Sequence, residues 1–447
     1  MRVAIIGSGI AGNGAAYALT QAGHQVAVYE REPRVGGHSA TVDVDYDGKV
    51  MSVDTGFIVY NDLNYPNLVA LFARLGVATE ASNMSFSVSA DGGAFEWAGR
   101  DDAVMAGLFA QKRNLLRPSY LMMLRGILRF QQKARADFAA GTIGEGTLGD
   151  WLDRNNFHGR LRDDYIVPMG AAIWSMSPKA MLGYPALSMI AFFENHRLLQ
   201  WSRPVWRTVT GGSRAYVEKL TAGFAKDIRL GTEVVGVTRK AGHVEVTDAQ
   251  GHRDTFDHVI IAAHAPQALA MLGDASAAER RVLGAMRTAA NAVYLHRDTA
   301  LMPKRRAAWA SWNFLREGRD ETRAVALTYW MNRLQNLDAT RPLFVTLNPY
   351  APPDPAKTFA RFEYHHPQYD AACIAAQAGL AAINGVNRTH FCGAWTSNGF
   401  HEAGLASGLA AAAALGARAP WSGASQSQGE AAAALKEAAA NLREAAE

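Results

Sequence analysis

Val3-Ala-Ile-Ile-Gly7-Ser-Gly9-Ile-Ala-Gly12 runs an apolar strand straight into a G-x-G-x-x-G turn, and the strand His24-Gln-Val-Ala-Val-Tyr-Glu30 ends on a carboxylate. The order is strand, glycine turn, Ala-rich helix over residues 14–22, second strand and acid, which predicts a βαβ dinucleotide-binding unit. Gly7 permits the tight turn, Gly9 lets the backbone approach a pyrophosphate, and Gly12 lets the helix pack on the sheet. Ile10 and Ala11 open that helix, whose N-terminus offers unpaired N–H groups and a positive dipole end. Glu30 is placed to accept hydrogen bonds from an adenosine ribose, with Arg31 beside it. A bare glycine pattern also fits an ordinary strand-to-helix turn; the flanking strand, helix and acid make the difference.

The next segments decide which dinucleotide. Arg31-Glu-Pro-Arg34-Val-Gly36-Gly37-His38-Ser39 is followed by Val53-Asp54-Thr55-Gly56-Phe57. A nicotinamide domain has no need of a second glycine pair here, whereas extended FAD needs further backbone donors along its pyrophosphate and ribityl chain. These residues resemble the flavin-containing amine oxidase superfamily, which also includes protoporphyrinogen oxidases, phytoene desaturases and fatty acid isomerases. The likeness recurs at Gly211-Gly-Ser213, Thr232-Glu-Val234-Val, Val259-Ile-Ile-Ala-Ala263 and Phe391-Cys-Gly393-Ala394-Trp395, and again from Gly399-Phe400-His401-Glu402 to Gly408. It covers the cofactor-binding parts well and the substrate parts poorly.

The resemblance implies FAD as cofactor and an α/β fold: a discontinuous, Rossmann-like FAD-binding domain of the glutathione-reductase type with an inserted α+β substrate domain. It assigns Gly37 and His38 to the pyrophosphate or ribityl region, with Ser39, Gly56 and Phe57 nearby. It gives Val234 to the adenine edge and Gly393 to the turn near the ribityl chain. Phe400 and His401 would start the helix whose positive end faces the flavin N1–C2=O locus. Three positions depart from the family: His38 stands where many relatives have Arg, and Ala394 where many have an acid. Phe400 stands where monoamine oxidases place Tyr, which leaves that wall of the substrate site apolar and weakens an amine-oxidase reading.

A chain of 447 residues with 49% hydrophobic and 19% charged residues can hold two domains. The order of the family segments assigns residues 1–61, 208–272 and 381–419 to the FAD-binding domain, and residues 62–207 and 273–380 to the substrate domain. The first insertion is mostly helical by pattern, with Pro118, Pro168, Pro178 and Pro185 as breakers. The second carries strand-like runs at residues 291–296, 324–330 and 343–347, expected as the floor of the substrate cavity. Residues 420–447 have the composition of a flexible linker followed by an Ala-rich helix. The two cysteines, Cys373 and Cys392, have neither metal nor disulfide-framework spacing. No apolar run is long enough to span a bilayer, and the N-terminal one is broken by the motif glycines, so a cytoplasmic protein is expected, free or at the inner face of the cell membrane. The oligomeric state is not legible.

Flavin chemistry needs little beyond a C–H or N–H bond held in a dry cavity, and no triad or carboxylate pair stands out, so no catalytic residue is named. No second G-x-G-x-x-G occurs, which points to the organic substrate as reductant rather than a nicotinamide. Trp174, in the segment 172–178, and Phe400 are candidate substrate-contacting residues. Residues 309–314 add aromatics, and Tyr364 and His365, in the segment 363–367, are candidate polar anchors. Adjacent histidines lack ligand spacing, so no metal is expected. Residues 103–135 hold seven Lys or Arg and no acid. Bulky apolar residues interleave with them, the pattern of a helix at an anionic lipid surface or of a lid with a solvated basic face. Met302-Pro-Lys304-Arg305-Arg306, with Trp309 and Trp312, would extend that rim. No nucleic-acid recognition module accompanies the cations.

Within the superfamily the layout looks most like bacterial FAD-binding proteins related to fatty acid isomerases and desaturases. That likeness implies action on an unsaturated acyl chain, free or in a phospholipid. An allylic C–H would give hydride to flavin N5, ending in a conjugated diene or a shifted double bond. The competing expectation is an amine oxidase producing aldehyde, ammonia and hydrogen peroxide; a third is a flavin-stabilised scaffold without turnover.

Overall fold

Five parallel strands carry the nucleotide motif. In the computed structural model, which describes residues 1–200, 204–318 and 320–421, they lie in the order Ile228–Arg229, Gln25–Tyr29, Arg2–Ile6, His258–Ile261 and Thr389–Phe391. All neighbouring pairs are parallel. Val3, Ala4, Ile5, Val259, Ile260 and Ile261 are fully buried, as continuous apolar runs must be in a parallel sheet covered on both faces. Chain segments more than three hundred residues apart meet in this sheet, which is why the glycine turn and the C-terminal motif lie together.

One face is covered by the helix Ile10–Gln21 and by the closing helix His401–Ala414. The two pack through glycine: a Cβ on Gly408 would lie 2.0 Å from the Ala11 carbonyl oxygen. Glu402, in the first turn of the closing helix, is buried and accepts from the Asn67 and Leu68 N–H groups at 2.9 and 3.0 Å. It thereby satisfies the open N-terminus of the helix Pro66–Leu75, which has no side-chain cap of its own. Burial holds the Glu402 carboxyl above its usual range.

A seven-stranded sheet stands apart from the first. Its order is Thr358–Gln368, Arg287–His296, Phe344–Leu347, Ala326–Trp330, Trp312–Arg316, Phe86–Ala90 and Phe95–Gly99. The three strand-like runs read from residues 291–347 are central members. The hairpin Phe86–Ala90/Phe95–Gly99 joins it through a parallel pairing to Trp312–Arg316, within a stretch whose pattern had suggested mostly helix. The strand Trp206–Val209 pairs with Val59–Asn61 on one side and Thr79–Ala81 on the other, so the division drawn at 207/208 falls inside a strand.

Three of the four prolines expected as breakers sit at helix starts instead. Pro168 follows directly on the π-helical turn Arg162–Ile166, inside helical backbone that runs on into Val167–Trp174, whereas Pro118 and Pro178 occupy the first turns of Pro118–Ala140 and Pro178–Leu182, and Pro185 immediately precedes Ala186–Asn195. A missing N–H costs nothing there and the fixed φ suits the helix. Among the described residues no helix is long and apolar enough to cross a membrane. The linker and helix expected over residues 420–447 lie outside the described residues from 422 onward.

Candidate active site

The glycine turn is built by close backbone approach. Gly7 has φ +103°, and a Cβ on Gly12 would sit 1.9 Å from the Gly7 carbonyl oxygen, so Gly12 lies beneath the turn and not in the cavity. A Cβ on Gly9 would meet no described atom within 4 Å, leaving the space above the turn open. The helix Ile10–Gln21 has no side-chain cap, so its first N–H groups are available to an anion. Glu30 is buried; its carboxylate accepts from the Ser8 N–H at 2.9 Å, the Ser8 hydroxyl at 2.6 Å and the Glu32 N–H at 2.9 Å. The second glycine pair folds onto the first: Gly36 N–H donates to the Ser8 carbonyl at 2.9 Å, and a Cβ on Gly37 would lie 3.1 Å from Gly9 Cα. Gly56 is pressed against His38, where a Cβ would fall 2.2 Å from the carbonyl oxygen.

These turns open onto one cavity of about 960 Å³, near the top of the range for small-molecule sites. Gly7, Gly9, Ile10, Ala11, Glu30, Arg31, Gly37, His38, Gly56, Phe57, Val234, Gly393, Phe400 and His401 line it, as do Trp174 and His365. Ser39 and Tyr364 stand behind the wall. The Ser39 hydroxyl shares a 2.5 Å hydrogen bond with Tyr216, and the Tyr364 hydroxyl one of 2.7 Å with Thr55 while its ring lies 5.1 Å from His38. Trp312 lines the cavity, but Trp309 does not: it packs on Phe344 and Trp330, with the Arg306 guanidinium 3.8 Å above its ring. Arg305 is likewise engaged, pairing with the buried Glu96 at 2.8 Å.

The middle of the cavity gathers imidazoles that the sequence reading did not connect. His38 lies 5.7 Å from His366 and 6.2 Å from His264, centroid to centroid. Among the described residues its buried Nε2 has no hydrogen-bond partner. His366 shares a 3.0 Å hydrogen bond with the Ser175 hydroxyl. His401 shares one of 2.7 Å with the Tyr216 hydroxyl and stacks on Phe57 at 3.8 Å. Burial, aided by neighbouring histidines, pushes His38 and His401 down to about 3 and His264 and His366 to about 4. All four are neutral at pH 7. His264 carries no motif that marks it and His366 lies in the segment 363–367; the fold brings both beside His38.

Beyond the histidines the wall is aromatic. Trp174 lies 4.8 Å from Phe192, which stacks on Phe400 at 5.0 Å and on His196 at 3.8 Å. Phe86, Trp97, Tyr165, Met169, Ile173, Leu198, Trp312 and Tyr329 continue the lining. Among the described lining residues the Asp, Glu, Lys and Arg side chains are Glu30, Arg31, Glu233 and Asp101. The first three cluster around the adenosine-side strand ends, where the Thr232 N–H donates to the Glu30 carbonyl at 2.8 Å.

The open glycine cradle, the uncapped helix start, the orphaned His38 Nε2 and the extended cavity together fit FAD. The chain belongs to the family of flavin containing amine oxidoreductases, whose model matches residues 10–357, and FAD is the cofactor that this membership implies. The "Probable zeta-carotene desaturase" of Synechococcus elongatus is 46% identical over 76 residues, 17% of this chain and 15% of that protein. The chain spans 15% and 55% of the lengths of the curated relatives it matches. Among solved structures, putrescine oxidase bound to putrescine superposes with a TM-score of 0.67 at 15% identity, covering 94% of this chain and 100% of that one. The CLA-producing fatty acid isomerase from P. acnes superposes with a TM-score of 0.60 at 16% identity, covering 93% and 98%. At such identities the superpositions speak for the fold alone.

Proposed function

We propose that this protein is an FAD-dependent oxidoreductase of unsaturated acyl chains, producing a conjugated diene or a shifted double bond. The observation that carries the reading is the substrate-side lining: Trp174, Phe192, Phe400, Trp312 and Tyr329, with histidines kept neutral by burial and with Asp101 as the one described carboxylate. Bound FAD supplies the acceptor for the electrons of a C–H bond. The chain itself does three things. Gly9, Gly37 and the first turn of Ile10–Gln21 hold the cofactor's phosphates, while Glu30 holds the ribose side. Phe400, Phe192 and Trp174 grip an apolar chain and exclude water. The neutral imidazoles add no charge of their own to that end, which suits a hydrocarbon better than an ammonium ion.

An amine substrate is the second reading, favoured by the carboxylate of Asp101 on the cavity wall. Anaerobic mixing of the flavin-loaded protein with unsaturated fatty acids and phospholipids, and separately with amines, distinguishes the two when followed by flavin absorbance and lipid mass spectrometry. The acyl reading expects altered double bonds in the lipid. Bleaching by amines with every lipid recovered unchanged would sink it.

A further inference from the structure

We propose that the surface formed by residues 104–128 docks on a bilayer leaflet rich in anionic lipid. Among the described residues fourteen large apolar side chains are exposed, and seven fall in this stretch, including Leu116 at 86%, Met122 at 72% and Met105 at 67%. Apolar side chains scattered singly over a surface need no explanation, but a cluster of this density marks a covered surface.

The stretch is well anchored. It comprises the short helices Val104–Leu108 and Lys112–Leu116 and the first half of Pro118–Ala140. The Tyr120 hydroxyl donates to the Leu108 carbonyl at 2.6 Å, and Asn114 Nδ2 to the Glu96 carbonyl at 2.9 Å. Tyr120, Met123 and Phe130 bury the opposite side of the long helix. Its outward apolar side chains are therefore not an unpacked core.

Charge selects the occupant. Residues 103–135 hold seven Lys or Arg and no acid, and Lys112, Arg113, Arg125 and Arg129 are exposed. Arg113 is tied to the Ala94 carbonyl and Arg129 to the Asn155 carbonyl. Lys112 and Arg125 point at no acidic partner among the described residues and remain available to lipid phosphates. A second copy meeting this patch through a two-fold axis would bring the same cations face to face. An anionic leaflet instead accepts cations at its headgroups and Leu and Met side chains just below them. Gly99 and Asp101, which line the cavity, immediately precede the stretch, so the docked leaflet would adjoin the cavity wall.

The docking claim does not depend on the substrate reading, and the test keeps them separate by using vesicles of saturated lipids only. Flavin-loaded full-length protein is floated with phosphatidylcholine vesicles, with and without phosphatidylglycerol. The protein is expected to float with the anionic vesicles and to be released by salt. Lys112→Glu/Arg125→Glu and, separately, Leu116→Ser/Met122→Ser should each weaken binding by about tenfold or more, with flavin content and melting temperature unchanged. Wild-type protein that ignores anionic vesicles would overturn the proposal. So would both variants binding as well as wild type, or a dimer in sedimentation velocity that Leu116→Ser/Met122→Ser dissociates.

Discussion

Phe400 and Phe192 stack with ring centroids 5.0 Å apart and 25° between their planes. Phe400 is also the residue from which the closing helix His401–Ala414 departs. One backbone position thus sets both the aromatic wall and the positive helix end that bounds the cavity. Adding a hydroxyl to this ring introduces a polar group into the aromatic wall. Phe400→Tyr is expected to lower turnover of an unsaturated acyl chain about tenfold without loss of flavin; kcat with unchanged or improved acyl turnover would contradict the apolar role.

Glu30 joins the two halves of the nucleotide cradle by accepting from Ser8 and Glu32. Glu30→Ala removes that acceptor and leaves buried donors unsatisfied, at a cost of about 1–3 kcal/mol. The flavin-to-protein ratio after gel filtration should fall accordingly, and full retention would refute the assignment.

Gly408 matters for packing. Because its Cβ position lies 2.0 Å from the backbone carbonyl of Ala11, Gly408→Ala must push the closing helix off the first one. A loss of about 3 kcal/mol or more is expected from such overpacking, read as a lower denaturation midpoint. An unchanged midpoint would mean that the two helices do not approach as described.

Acidification should destabilise the protein. His38, His401, His264 and His366 lie at about 3 to 4 when folded, against an ordinary 6.5. Between these limits the unfolded chain binds more protons, so stability is full above about pH 6.5 and falls as pH drops through the window. Asp54, pushed up to about 6 by burial, acts in the opposite sense: its contribution is present at low pH and lost as pH rises toward 6. Glu402 and Asp164, which burial also raises, act in the same sense as Asp54; the four imidazoles outweigh the three carboxylates. The melting temperature of the flavin-loaded protein should therefore be lower at pH 5 than at pH 7; an equal or higher value would show that the histidines are not buried as a group.

The nucleotide half of the molecule is legible in sequence because it depends on local backbone demands. Gly7, Gly12 and Gly37 are required by positive φ or by contacts that no Cβ survives, and such demands leave a linear signature. Trp174 was singled out for its place at a helix end and Phe400 through the family resemblance, and both line the cavity. The rest of the cavity comes from tertiary convergence. Phe192, His264, Trp97 and Tyr329 occupy four different elements with no shared motif, and only the pairing of Trp312–Arg316 with Phe86–Ala90 brings the hairpin residue Trp97 to the wall. Trp309 and Trp312 looked equivalent as sequence, yet only Trp312 reaches the cavity. Pro118, Pro178 and Pro185 were misleading as breakers because at a helix start proline does the reverse.

The central claim is that an unsaturated acyl chain gives up an allylic hydrogen inside this aromatic cavity. Its most direct test is mass spectrometry of an allylically deuterated polyunsaturated fatty acid after anaerobic incubation with stoichiometric flavin-loaded protein. The account predicts loss or relocation of deuterium together with a conjugated or shifted double bond. A fatty acid recovered with its label and double bonds intact, from protein whose flavin an amine readily bleaches, would contradict it.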